Sequence, residues 1–194
     1  GRNISAFLFD EESGLVPPDA LTQLSQATHI LSTVPPSDKP LSPDGKSGLG
    51  SDCLDPVLRL QGAQIKAAAV DGNLQWLGYL SSTGVYGERG GAWVREADPP
   101  APDTLKTRRR LAAELAWRGL HTQAGLPVHV FRLAGIYGPG RSAADTLVRA
   151  GGDMARCGAD DSCFVSRIHV QDIVRVLPSP RLAGLFVFLS HFLT

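Results

Sequence analysis

The stretch Leu77-Gly78-Tyr79-Leu80-Ser81-Ser82-Thr83-Gly84-Val85-Tyr86-Gly87 decides how this chain is read. An apolar run stops abruptly in three hydroxyl residues and a glycine. Residues 76–80 have the composition of a short buried strand, with Ser81, Ser82 and Thr83 at its carboxyl end. In open α/β sheets ligands bind at that edge, because the loops diverge there and leave a crevice. Hydroxyls placed there hold a substrate oxygen or a cofactor. The same residue types also satisfy backbone groups where a strand stops, so the surrounding sequence has to separate the two meanings.

Outward from this stretch, strands and helices alternate. Residues 4–9 read as a strand ending at Asp10. Pro17, Pro18 and Asp19 open a short helix with Leu21 and Leu24 on one face, and residues 28–34 form a second strand stopped by Pro35 and Pro36. Residues 35–54 are rich in Pro, Gly, Ser and Asp and read as a long loop, of the kind that serves as a lid or insertion. Asp55 followed by Pro56 is an N-cap with proline in the first turn, and Leu58, Gly62, Ile65 and Ala69 recur at helical spacing as far as Val70. Asp103 or Thr104 caps another helix, whose inward face is expected to carry Leu105, Ala112, Leu115 and Ala116 and which Gly125 ends. Residues 128–133 form a strand, 135–140 a turn-rich loop, 144–150 a helix, and 164–170 an extended segment followed by a short helix from Gln171. Apolar strands alternating with helices imply a parallel sheet covered on both faces.

The bulk numbers narrow the class. The chain has 194 residues, 43% hydrophobic and 20% charged, with a formal net charge of 0, which suits one globular domain and argues against a nucleic-acid partner. Cys53, Cys157 and Cys163 have no Cys-x-x-Cys spacing, so neither a metal site nor a disulfide framework is expected, and a reducing compartment fits. No signal peptide is visible at the start. Residues 1–177 read as one domain and 178–194 as an apolar tail of different composition, with three of the seven phenylalanines in its last nine residues. The tail is either a docked terminal strand or helix, or foreign sequence left exposed; it is too short to span a bilayer, which needs about 20 residues.

Four segments occur here in one order: Ser-Ser-Thr-Gly-Val-Tyr-Gly (81–87), Pro-Pro followed by Arg-Leu-Ala-Ala-Glu (99–114), Arg-Leu-Ala-Gly-Ile-Tyr-Gly-Pro-Gly (132–140) and Arg-Ile-His-Val-Gln-Asp-Ile (167–173). Together they resemble the extended or atypical short-chain dehydrogenase/reductase superfamily, the NAD-dependent epimerase/dehydratase group, over residues 4–177. The resemblance implies an α/β fold: a Rossmann-like, doubly wound parallel sheet, here lacking the first βαβ glycine-rich unit that holds a pyrophosphate. It implies NAD or NADP as cofactor and a small polar substrate such as a nucleotide sugar. An oligomer is compatible with it.

The resemblance also assigns residues. Ser82 matches the family's catalytic hydroxyl. The Tyr-x-x-x-Lys pair of the next helix is replaced: Lys106 holds the tyrosine position and Arg110 the lysine position. Lys106 is then the candidate for a displaced proton donor, which requires a strongly depressed pKa. Alternatively Lys106, Arg108, Arg109 and Arg110 form a solvated helix face. For the cofactor, Asp10 matches the acidic residue near the adenine. Ser32, Thr33 and Val34 match a strand end lining the cleft, and Ser81 and Tyr137 match positions near the nicotinamide. Tyr86 reads as an aromatic anchor for its loop, His169 and Asp172 as organisers of local structure, and His29 as a core histidine.

Overall fold

The computed structural model describes residues 7–16, 18–37, 55–71, 74–142, 145, 166–177 and 186–189. Within them run β1 (Leu8–Asp10), β2 (Gly14–Val16), α1 (Pro18–Ser25), β3 (His29–Ser32), α2 (Pro56–Val70), β4 (Trp76–Ser82), a 3-10 turn (Thr83–Tyr86), α3 (Leu105–Ala124), β5 (Val128–Leu133), β6 (Gly135–Tyr137), β7 (Arg167–His169), α4 (Val170–Val176) and β8 (Phe186–Leu189). The main sheet is parallel throughout, in the order β5-β4-β3-β8. This is a Rossmann-like α/β arrangement. Residues 38–54 of the expected loop lie outside the described residues, as does all but Asp145 of the expected 144–150 helix.

The elements start and stop for local reasons. Asp55 caps α2, its Oδ1 accepting the Leu58 amide at 2.9 Å, and Pro56 follows at the first helical position. Thr104 caps α3 in a reciprocal box with Thr107. Gly125 closes that helix at φ +66°, a left-handed conformation that glycine adopts without a Cβ clash. All four residues of β3 are buried, as in a strand interior to a parallel sheet. Ile30, Leu77, Tyr79 and Val130 pack with Leu58 and Ile65 of α2 and with Trp117 and Leu120 of α3 to make the core.

On the other face of β4, Trp76 and Gly78 lie two residues apart and therefore on one side. The Trp76 ring lies across the glycine, stacked on His129 at 5.8 Å and tilted against Phe131 at 6.1 Å. A Cβ at position 78 would stand 2.2 Å from Trp76 Cη2 and 2.9 Å from Leu31 Cδ1. Gly78→Ala is therefore expected to cost about 1–3 kcal/mol through overpacking, read as a lowered urea midpoint. An unchanged midpoint would mean that the indole swings away without loss.

Four expectations change. The segment ending at Asp10 is not a strand of the parallel sheet: β1 pairs antiparallel with β2 in a hairpin, because Asp10 and Gly14 (φ +82°) close a tight reversal. The strand expected over 76–80 runs on to Ser82, so Ser81 and Ser82 lie inside it. Residues 135–137 are not turn but β6, paired in parallel with β7. The inward face of α3 is Ala113, Glu114, Trp117 and Leu120, while Leu105 is 63% and Leu115 55% exposed. A buried carboxylate and a buried indole set the helix phase there, and neither registers in an aliphatic pattern. In the tail, residues 186–189 are docked as β8 against β3.

Candidate functional site

The site is built where β4 and β5 end and α3 begins. Ser81 shares a face with Leu77 and Tyr79, which points it at α3. It is buried, and its hydroxyl donates to Glu114 Oε2 at 3.0 Å. Ser82 is half-buried. Its Oγ accepts the Gly84 amide at 3.1 Å and so caps the 3-10 turn. A Cβ at Gly84 would stand 3.4 Å from Ser82 Oγ and 3.2 Å from the Thr107 methyl, so the first turn of α3 reaches the strand end through Thr107. Lys106, one residue earlier, is exposed.

Behind Ser82 lies a charged cluster that sequence reasoning missed. Glu114 is 1% exposed. Arg132, from β5, donates Nε to both of its carboxylate oxygens, at 3.2 and 3.0 Å, and a second nitrogen, Nη2, also bonds Oε1. Arg132 Nη1 donates to the Tyr86 hydroxyl at 2.7 Å, and the guanidinium carbon lies 4.7 Å from the centre of the Tyr86 ring. The hydrogen bonds that it donates to Glu114, then the one to Tyr86, hold the guanidinium well above its ordinary pKa, against the effect of burial. One carboxylate thus ties α3 to β4 through Ser81 and to β5 through Arg132. Arg132 carries the tie on to Tyr86, the loop anchor. The available signal is an arginine inside a largely apolar strand, a residue type that is rarely buried without a partner.

A second cluster corrects the solvated-face alternative for Arg110. Arg110 Nη1 donates to the Tyr79 hydroxyl at 3.2 Å and to the Leu80 carbonyl at 3.3 Å, so the residue at the lysine position is pinned against β4. Tyr79 is fully buried and stacks on Trp117 with centroids 5.5 Å apart. Burial, then the charge of Asp55, keeps its phenol well above the ordinary value, so Tyr79 is no proton acceptor near neutrality. Trp117 Nε1 donates to Asp55 Oδ2 at 2.8 Å. Asp55 is fully buried, and burial pushes its carboxyl up to about 6.

The remaining sequence candidates fall in several places. Asp10 is exposed, and its Oδ1 accepts the amides of Glu12 and Ser13 in the hairpin turn. Ser32 and Val34 are buried and Thr33 half-buried at the end of β3. Tyr137 is 40% exposed, its ring 5.0 Å from that of His169. His169 caps α4, accepting the Gln171 amide at 3.2 Å, and Asp172 faces Arg175 at 3.5 Å. Both thus organise local structure. His29 is buried and bonded to Thr28 Oγ1 at 2.8 Å, and burial lowers its pKa, as suits a neutral core histidine. Of the residues that the sequence singles out, the structure gathers Ser81, Ser82 and the first turn of α3 at one sheet edge. Asp10 stands in a separate hairpin.

No family model matches the chain, and no curated protein does. Solved structures do. A functionally unknown conserved protein from Silicibacter pomeroyi DSS is 36% identical, with a TM-score of 0.57 over 84% of this chain and 51% of its own. A double mutant of the dTDP-glucose 4,6-dehydratase of Streptomyces venezuelae, solved with NAD bound, is 21% identical. Its TM-score is 0.56 over 80% of this chain and 48% of its own. A mutant UDP-glucuronic acid 4-epimerase from Bacillus cereus, also in complex with NAD, is 19% identical, with a TM-score of 0.52 over 82% of this chain and 51% of its own.

The chain shares the Rossmann-like α/β fold of these proteins. The chain spans about half the length of the solved proteins it matches.

In open α/β sheets of this kind a ligand binds outside the carboxyl ends of the strands. The groups here that fit one are the ends of β3 and β4. Ser32 Oγ is buried and has no hydrogen-bond partner among the described residues, and the half-buried Thr33 and Ser82 add hydroxyls at the same edge. A strand–glycine turn–helix cradle for the pyrophosphate is not among the described residues. No group of His, Cys, Asp and Glu among them is placed to hold a metal ion. None of the described helices is long and apolar enough to cross a membrane.

Proposed function

We propose that this chain is part of an NAD(P)-binding protein of the epimerase/dehydratase type, acting on a small polar molecule such as a nucleotide sugar. The observation that carries the reading is Ser82. It stands at the carboxyl end of an interior parallel strand, half-buried beside the first turn of α3. Its Oγ accepts the Gly84 amide, and its own proton remains to be given to a substrate oxygen. The cofactor, when bound, supplies hydride chemistry. Ser82 orients the reacting carbonyl or hydroxyl, and the Glu114–Arg132 pair keeps the strand ends that present it in place.

A second reading is favoured by a specific observation. With Arg110 pinned to Tyr79 and Leu80 and Lys106 exposed, the Tyr-x-x-x-Lys proton relay has no equivalent in α3. The protein then grips NAD(P) as a structural or sensing ligand without turning over substrate.

Calorimetric titration with NAD(H) and NADP(H), followed by nicotinamide absorbance across a panel of nucleotide sugars, separates the readings. Micromolar binding with turnover supports the first, and Ser82→Ala is then expected to lower the rate by about 100-fold, as loss of one positioned donor does. Binding without turnover supports the second. Absence of binding to either dinucleotide overturns both.

A further inference from the structure

Strand β4 and helix α3 run in opposite directions, and their contacts fall in a ladder. Trp117 stacks on Tyr79, Glu114 meets Ser81, and the Thr107 methyl lies 3.2 Å from the point where a Cβ of Gly84 would stand, with Ser82 Oγ 3.4 Å from that same point. Each step towards the start of the helix is a step past the end of the strand. Residues four apart on a helix share a face. Arg110 uses that face to reach the Leu80 carbonyl. Lys106, one turn nearer the start of α3, carries the same face out beyond Ser82, where the strand has stopped. It is exposed, and among the described residues no hydrogen bond or ion pair holds its ammonium.

The mouth of β4 therefore carries cations that no described carboxylate touches. Arg110 bonds two neutral oxygens, the Tyr79 hydroxyl and the Leu80 carbonyl. The nearby carboxyls are engaged elsewhere: Asp103 accepts the Thr107 hydroxyl at 3.5 Å, Glu114 is held by Arg132, and Asp55 accepts the Leu58 amide and the Trp117 indole. A cation beside a ligand-binding hydroxyl selects a ligand that brings its own negative charge. We propose that Lys106 is a specificity-determining residue, whose ammonium takes a carboxylate carried by the substrate next to the oxygen that Ser82 holds. One ammonium and one hydroxyl are few donors, which suits a carboxylate, whereas a phosphate group is gripped by several N–H groups at once. Lys106 then anchors charge and moves no proton. The inference rests on the reading of the Ser82 edge as the substrate site, and it names the class of substrate.

UDP-glucuronic acid and UDP-glucose differ at one carbon, a carboxylate in the first and an alcohol in the second, so contacts to the shared nucleotide cancel between them. Each is titrated calorimetrically into the full chain in the presence of NAD(H). The wild type is expected to bind the acid about 10-fold more tightly, the size of one charge-assisted hydrogen bond at an exposed group. The preference is expected to shrink in 0.5 M NaCl, because salt screens an exposed pair. Lys106→Met is expected to bind the two sugars alike, and Lys106→Arg, which keeps the charge, to retain most of the preference. Equal affinity in the wild type overturns the inference and leaves the reading of Ser82 standing. So does a preference that survives Lys106→Met, or one that Lys106→Arg loses as fully as Lys106→Met does. If neither sugar binds, the reading of Ser82 falls as well, which tells the two failures apart.

Discussion

Glu114→Ala is expected to destabilise the chain by about 2–4 kcal/mol, because it leaves the half-buried Arg132 guanidinium without its counter-charge. The size follows from the geometry. Glu114 is 1% and Arg132 15% exposed at the side chain, so water reaches the guanidinium only in part. The substitution also removes the acceptor of the Ser81 hydroxyl, a second buried polar group left wanting. For a chain of this length the loss corresponds to a melting point lower by roughly 10 °C. Glu114→Gln keeps the shape and one acceptor oxygen but not the charge, and is expected to fall between wild type and alanine. Glu114→Leu/Arg132→Met removes both charges at once and is expected to recover most of the loss, since an apolar pair of similar volume often matches a buried ion pair. If the double variant were as unstable as Glu114→Ala, the cluster would be holding the fold through Ser81 and Tyr86 rather than through its charges. The same variants bear on function. The carboxyl ends of β4 and β5 are tied to α3 by this one carboxylate, so a ligand held by Ser82 is expected to lose affinity in Glu114→Ala even though Glu114 does not reach the strand's mouth.

The architecture was legible because parallel strands and their caps are written in local chemistry. Residues 128–133 are apolar enough to form β5, Asp55-Pro56 announces α2, and Gly125 ends α3 where a left-handed residue is needed. The site was legible only in outline. The hydroxyl run predicted a sheet edge, but the fate of each hydroxyl depends on which face its residue takes. Strand β4 runs two residues further than expected, and that alone sends Ser81 to Glu114 and leaves Ser82 at the mouth. The phase of α3 is hidden in the sequence for the same kind of reason. Aliphatic residues at 105, 112 and 115 suggested an inward face, whereas pairing with Arg132 and stacking with Tyr79 turn Glu114 and Trp117 inward. Long-range pairs of this sort have no spacing rule. β6 was hidden in the same way, since its partner β7 begins thirty residues later.

Asp55 carries the second large effect, and its sign is the reverse of the usual acidic residue. Burial comes first among the causes and raises the carboxyl from 3.8 to about 6, against the hydrogen bonds from Leu58 and Trp117 and the charge of Arg110. The folded chain therefore holds this proton more tightly than the unfolded chain does. The contribution of Asp55 to stability is fully present below about pH 4 and declines as pH rises towards 6. Above that, the carboxylate form costs the fold about 3 kcal/mol relative to the protonated one. Asp55→Asn does not titrate. Its carbonyl oxygen can take the Leu58 amide, but its amide nitrogen then faces the Trp117 N–H, donor against donor, at a cost of about 1–3 kcal/mol. The stability of wild type over Asp55→Asn, measured by urea unfolding, is thus expected to be larger at pH 4 than at pH 7 by about 2 kcal/mol. A gap that is constant with pH would show that the carboxyl titrates alike in both states. A gap that widens with pH would show that the bonds from Leu58 and Trp117 outweigh burial, and that the carboxylate is the form for which the junction of α2 and α3 is built.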